Sequence, residues 1–206
     1  MQTENATLMR MARESLVGKW GLAIGAFVLY FLIVGAVQII PYIGWIGSLL
    51  ITGPMVLGLV IFSLALSRGQ EFKLEQILEG FHTFETALLT QLISSLFVFL
   101  WALLLIVPGI IASLSYAMAF YILADNRLIG AMEAIDRSKK MMDGYKWKLF
   151  CLHMRFFGWA LLCVLTLGVG FIWLVPYVQV STAKFYDDIK DGPVVAENAT
   201  LNQSVV

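Results

Sequence analysis

Charge is what this chain has least of. Charged residues make up 14% of its 206 residues, against about 25% in ordinary soluble domains. What charge there is balances, 14 basic against 14 acidic residues, so bulk electrostatics offer no pull toward nucleic acid. Cysteine is nearly absent. Cys151 and Cys163 stand about 18 Å apart if both lie on one helix. That exceeds disulfide reach and matches no metal spacing, so they read as small apolar fillers. Histidine is as scarce: His82 and His153, neither with an evident partner. No HExxH, GxSxG or P-loop sequence occurs. The long apolar runs hold no Asp or Glu near their middles, which removes a carboxylate proton relay. The expectation is a protein with no catalytic residues, no metal and no cofactor, and not an enzyme.

What is present is apolar, 60% of the residues. Uncharged runs cover 20–67, 86–124 and 156–183, that is 48, 39 and 28 consecutive residues. A helix crosses the hydrocarbon in about 20 residues, so each run reads as two spans that turn back without exposing an ionised group. The expected pairs are 20–40 with 43–66, 87–107 with 110–124, and a span from about Leu149 with 171–185. Turns are expected at Pro41-Tyr42, Pro108-Gly109 and Gly168-Val169-Gly170. Pro176 leaves a kinked or re-entrant course open for the last span. The predicted fold is all-α: a polytopic membrane helix bundle of six transmembrane helices in three hairpins. A single integral membrane domain covers 1–191, and the polar tail 192–206 is expected to be disordered and cytoplasmic.

None of the 14 basic residues lies in the three short turns. By the positive-inside rule both termini and the long connections are cytoplasmic. Met1 to Ser15 is polar, unlike a secretory signal. Glycosylation sequons at Asn5 and Asn198 then fall on the cytoplasmic side and count as chance matches.

The connections carry a pattern of their own. Leu74, Ile77, Leu78, Phe81 and Phe84 recur at helical spacing, with Glu71, Glu75 and Glu79 on other faces. From Leu128, the positions Met132, Ile135 and Met142 do the same, and Leu8, Ala12 and Leu16 form a weaker stripe beside Arg10 and Arg13. These are expected to be amphipathic leader helices, lying in the membrane interface or packed on the ends of their own spans. Each leader ends at a glycine before an aromatic or basic cluster: Gly18-Lys19-Trp20, Gly80-Phe81-His82 and Gly144-Tyr145-Lys146-Trp147. The glycines are 62 and 64 residues apart. That spacing predicts three copies of one unit, at about 6–68, 70–126 and 128–190, around a pseudo-threefold axis along the membrane normal. Gly21 and Gly25 form a small-xxx-small pair suited to close helix contact.

Arg155 is the most unusual residue, about two turns inside a span, where Arg costs roughly 2.5–3.5 kcal/mol. It either snorkels to lipid phosphates or, with Lys148 and Lys184, contacts a lipid or anion. Tyr177, Ser181 and Lys184 share one helix face, and Tyr121 and Asp125 are placed to meet. With Tyr116 these form the candidate intramembrane polar contacts Tyr116, Asp125, Tyr177 and Ser181. Interhelical hydrogen bonding is the bland role for all of them.

The run from Leu100 through Val107-Pro108-Gly109-Ile110-Ile111, followed by Tyr116 and Asp125, resembles the bacterial integral membrane proteins grouped as the domain of unknown function 975 family. So do Glu133-Ala134-Ile135 with Ser138-Lys139, Met142 and Gly144, and Gly158-Trp159, Gly168-Val169-Gly170, Trp173, Pro176-Tyr177 and Phe185-Tyr186. The resemblance covers nearly the whole chain and is weakest over the first 40 residues. It implies a six-span protein of the bacterial cytoplasmic membrane and brings no activity or ligand. Arg155 departs from it, standing where the family has apolar or small residues, with serine at that position. The functional expectation is non-enzymatic binding or movement of membrane lipids or small amphiphiles. The alternative is a structural or regulatory module that assembles with another membrane protein or with itself. An intramembrane enzyme is the third and least supported reading.

Overall fold

An apolar segment in a low-dielectric surrounding must satisfy its backbone internally, and the helix does so within one segment. In the computed structural model, which describes residues 3–39 and 44–190, every regular element is helical. In order these are α1 (Asn5–Leu16), α2 (Trp20–Gln38), α3 (Gly44–Arg68), α4 (Gln76–Glu79), a 3₁₀ turn (Gly80–Thr83), α5 (Phe84–Leu104), α6 (Ile106–Tyr116), α7 (Ala119–Asp125), α8 (Ala131–Met141), α9 (Lys146–Leu165) and α10 (Phe171–Ile189). Five helical stretches among the described residues are long and apolar enough to cross a membrane: Trp20–Gln38, Ile46–Arg68, Gln76–Leu104, Ile106–Asp125 and Lys146–Leu165. These are the marks of a membrane protein. α10 is not among the five. It is one continuous helix with Pro176 inside it, but Lys184, Asp187 and Asp188 charge its last turns.

Burial separates the helices into two kinds. In the apolar stretch of α3, 67% of residues are buried, and in that of α6–α7 44% are. The corresponding shares are 17% for α2, 11% for α5 with its preceding turn, and 22% for α9. α3 packs on α2, α5, α7 and α10, and α10 packs on α1, α2, α3 and α9. Leu57, Val60 and Leu64 of α3 join Met118 and Ile122 of the α6–α7 segment and Phe185 of α10 in one core cluster. Met55, Phe62 and Leu66 join Ala23 and Phe27 of α2, Leu16 of α1 and Val180 of α10 in a second.

The tightest contact sits between α3 and the α4–3₁₀ segment. A Cβ on Gly58 would overlap the carbonyl oxygen of Ile77, and one on Gly80 would overlap that of Pro54. Backbones meet there, so any side chain at either position forces the helices apart. Gly21 and Gly25 do not make such a contact: a Cβ on Gly21 meets nothing within 4 Å, and one on Gly25 meets only the tip of Leu74 at 4.0 Å.

Several expected elements shift. The second turn falls at Leu105, which is extended, and not at Pro108-Gly109. Pro108 lies in the first turn of α6, where backbone N–H groups lack intrahelical partners and proline is tolerated. The return helix also breaks at Ala117-Met118. Ser138 of α8 covers that break: its hydroxyl donates to the carbonyl of Ser115 at 2.8 Å and accepts from the N–H of Met118 at 3.2 Å. The expected turn at Pro41-Tyr42 and the tail 192–206 lie outside the described residues.

The leaders pack against the bundle. Leu8, Ala12 and Leu16 of α1 are buried, as are Ala134, Ile135, Ser138 and Met141 of α8. The stripes are less regular than expected. In the second leader only Ile77 and Gly80 are buried, because the segment tightens into a 3₁₀ turn, while Leu78, Phe81 and Phe84 are exposed. Leu128 precedes α8 and is exposed, as is Met132, so neither shares the buried face of Ile135 and Met142. Of the junction glycines, Gly18 and Gly144 adopt positive φ, at 76° and 78°, and close their leaders in the left-handed region that favours glycine. Gly80 is right-handed, at φ −60°, and is held small by the contact with Pro54.

Candidate functional site

Each inner helix ends in a charge after a long uncharged run, and these ends converge. Arg68, the last residue of α3, bridges two carboxylates. It donates to Asp125 at the end of α7 from Nη1 and Nη2, at 2.7 and 2.9 Å. It donates to Asp187 of α10 from Nε and Nη2, at 3.1 and 2.7 Å. A planar guanidinium suits two such paired contacts. Tyr186 donates its hydroxyl to Asp125 at 3.1 Å, and Lys190 lies 3.6 Å from both carboxylates. Two cations against two anions leave this cluster neutral. A second tie stands beside it. Lys148 of α9 pairs with Asp188 at 2.7 Å, the Thr3 hydroxyl also hydrogen-bonds Asp188, and the Asn5 amide donates to the carbonyl of Lys148 at 2.9 Å. Burial alone would raise the Asp188 carboxyl, but the bonds from Lys148 and Thr3 outweigh it and hold the group below its ordinary range. Together the two ties fasten the ends of α3, α7, α9 and α10 and the start of α1.

The residues singled out from sequence do not gather into one site. Arg155 is exposed on α9 and has no ion pair or hydrogen bond among the described residues. Lys148 turns inward to Asp188, and Lys184 donates to the carbonyl of Ser67. Asp125 belongs to the Arg68 cluster. Its tyrosine partner is Tyr186, not Tyr121, because the Tyr121 ring is buried against that of Tyr186 at 5.5 Å. Tyr177 donates to the carbonyl of Met9 at 3.2 Å and packs edge-on against Phe156. Tyr116 rests against Phe97 at 6.1 Å. Ser181 is fully buried, with no hydrogen-bond partner for its hydroxyl among the described residues. Cys151 and Cys163 are both free thiols. No group of three or more His, Cys, Asp or Glu that could hold a metal occurs among the described residues.

A cavity of about 510 Å³ lies where α2 and α9 stand on either side of α10 under α1. Both outer helices pack on α10 but not closely on each other, and the gap between them forms the cavity. Its walls are apolar and aromatic: Trp20 of α2, Trp159 and Leu162 of α9, and Trp173 and Tyr177 of α10, with Arg13 of α1 at the edge. A smaller cavity of about 340 Å³ touches His153, Phe157, Phe171 and Gln179. Leu174 lines both, so α9 rests on α10 with space on each flank.

Arg68, Asp187 and Asp188 are absent from the residues that sequence spacing singled out, and Arg13 enters there only as the polar flank of the first leader. The first two carried a visible sign. Consecutive uncharged runs close on a cation, an anion and then a cation with two anions, which is the pattern of ends able to neutralise one another. Arg13 and its three tryptophans lie on four separate segments, and no local spacing connects them.

The sequence model of a family described as "Protein of unknown function (DUF975)" matches residues 1–112 and 103–192. No curated protein and no solved structure matches the chain.

Proposed function

The chain belongs to the DUF975 family, and from that premise we propose that it is a non-enzymatic multi-pass protein of the bacterial cytoplasmic membrane that binds or moves lipids or small amphiphiles. The observation that carries this reading is the aromatic cavity of about 510 Å³, a volume within the usual range for small-ligand sites. It is flanked by α2 and α9, the outer helices whose apolar side chains are largely exposed, so an amphiphile reaches it from the lipid.

In this reading α10 is the sixth span. Its charged residues begin only at Lys184, and from Leu174 to Ala183 it buries one side, packing on α1, α2 and α3. The six spans form three hairpins, each with an outer first helix and an inner second helix. That alternation, and the positive-φ glycines at Gly18 and Gly144, support a threefold unit around the neutral cluster of helix ends. Both termini are cytoplasmic.

The test is native mass spectrometry of the purified full-length protein beside a Leu162→Trp variant that fills the cavity. One specific amphiphile retained by the wild type and lost in the variant is expected, with flux of that amphiphile in liposomes. Bare protein in both samples and no flux would count against the reading.

A second reading has an observation of its own. Leu78, Phe81, Phe84, Leu128 and Met132 are exposed at the charged end, where Arg127 pairs with Glu79. Such a patch suits assembly with another membrane protein or a second copy. Crosslinking from Phe81 in native membranes is then expected to recover one dominant partner; a scatter of abundant neighbours sinks it.

A further inference from the structure

We infer that the cavity bounded by α1, α2, α9 and α10 takes a single-chain anionic amphiphile, its acidic head on Arg13 and its chain against Trp159, Leu162 and Trp173. This rests on the reading of the protein as an amphiphile binder and names the ligand class.

The charge of the ligand follows from which donors are free. Arg68, Lys148 and Lys184 are each engaged with an internal acceptor. Arg13 has no ion pair or hydrogen bond among the described residues, although its neighbour Arg10 pairs with Glu14. The neutral hydroxyls of the lining are already committed. Tyr177 donates to the Met9 carbonyl, and Thr166 donates to the Cys163 carbonyl at 2.9 Å. The indole N–H groups of Trp20, Trp159 and Trp173 are the neutral donors that remain, and the one charged donor of the lining is the Arg13 guanidinium, which favours carboxylate or phosphate over an uncharged polar head. A cation at the edge of an apolar wall lies in a lower dielectric than bulk water, where an opposite charge is worth more.

The shape of the ligand follows from the walls. Three indole rings with Leu162 and Leu174 present apolar surface to the cavity, where burying the methylenes of a chain is favourable. A volume of about 510 Å³ accommodates one chain and not both tails of a two-chain lipid. The gap between α2 and α9 lets that chain enter sideways while its head stays at Arg13 beside Trp20.

The experiment uses full-length protein in nanodiscs of phosphatidylcholine at alkaline pH, read by tryptophan fluorescence. Brominated chains quench an indole on contact. Three probes are compared: dibromostearate, the uncharged dibromostearyl alcohol, and phosphatidylglycerol with brominated chains. Saturable quenching by the acid is expected, with the alcohol and the two-chain lipid about ten-fold weaker or more. The saturable part should vanish in Trp159→Phe/Trp173→Phe. Arg13→Gln should weaken the acid about ten-fold and leave the alcohol unchanged, and Arg13→Lys should restore most of the loss. Equal binding of acid and alcohol, or acid binding indifferent to Arg13→Gln, overturns the anion assignment while amphiphile binding stands. Two-chain lipid binding as well as the acid overturns the single-chain assignment. No saturable quenching by any probe removes the binding reading itself.

Discussion

α2 and α3 are equally apolar and differently used. Their mean hydropathies are 2.3 and 2.4, yet 17% of the residues in one stretch are buried and 67% in the other. The difference lies in small and polar residues. α3 carries Gly53, Pro54 and Gly58 against neighbouring backbones, and buried Ser63 and Ser67 whose hydroxyls return to their own helix at Leu59 and Leu64. It ends in Arg68, which ties two other helices. α2 presents Leu22, Val28, Phe31 and Leu32 outward, and its glycines make no tight contact. In a bilayer apolarity does not drive helices together, because lipid is as apolar as leucine; close packing and polar ties do. The contrast therefore separates helices held by protein from helices wetted by lipid.

The largest blow to this contrast is a methyl group at the tightest contact. Gly58→Ala is expected to cost about 3 kcal/mol or more, at the upper end for overpacking, seen as lost folded yield and a lower Tm in detergent. Unchanged stability would mean that α3 and the Ile77 backbone do not meet. Next is Arg68→Leu, which leaves Asp125 and Asp187 facing each other with only Lys190, at 3.6 Å, to offset them. A loss of roughly 2–3 kcal/mol is expected. Adding Asp125→Asn and Asp187→Asn should recover part of it, whereas a structural role unrelated to charge would show no recovery.

Smaller and pH-dependent is the tie at Asp188. Its folded-state pKa is depressed, so the stabilisation is present above the ordinary carboxylate pKa and lost as pH falls through the folded value. Asp188→Asn should destabilise by about 1 kcal/mol near neutrality, and the gap to wild type should close in acid melts below roughly pH 4. A gap constant across that range contradicts the pairing with Lys148. The smallest effect is on the outer helix. Gly21→Ala meets open space and should be neutral or stabilising by up to about 1 kcal/mol; a loss of Tm there would mean that α2 is closely packed at this position as well.

Class, helix class and most boundaries were legible in sequence because membrane spans must be uncharged and helical over a set length. α2 begins at Trp20 and α9 runs into the turn before Gly168, as the uncharged runs indicate. Pro108 misled by a few residues because proline marks the first turn of a helix as readily as the turn before it. The second leader was overread because period alone does not distinguish a long amphipathic helix from a short one tightened into a 3₁₀ turn against Pro54. Inner and outer helices were not legible: α2 and α3 share their hydropathy, and burial is decided by neighbours far away in the sequence, such as α10 for α2. The same reason hid the candidate site. Asp125 was noticed, but its partners Arg68 and Tyr186 come from other helices, and the aromatic cavity draws on α1, α2, α9 and α10. Arg155 drew attention because a lone charge in a span is locally conspicuous, yet it is exposed and outside both cavities.

The most direct measurement is carbene footprinting of the full-length protein in nanodiscs with a photoactivated label dissolved in the lipid, read by peptide mass spectrometry. Heavy labelling is expected on the exposed faces of α2, α5 and α9, with Met55 and Phe62 of α3 unlabelled and α10 marked only around Trp173 at the cavity. Labelling spread evenly over α3 and α10 would contradict the division into protein-held and lipid-facing helices, and with it the cavity between them.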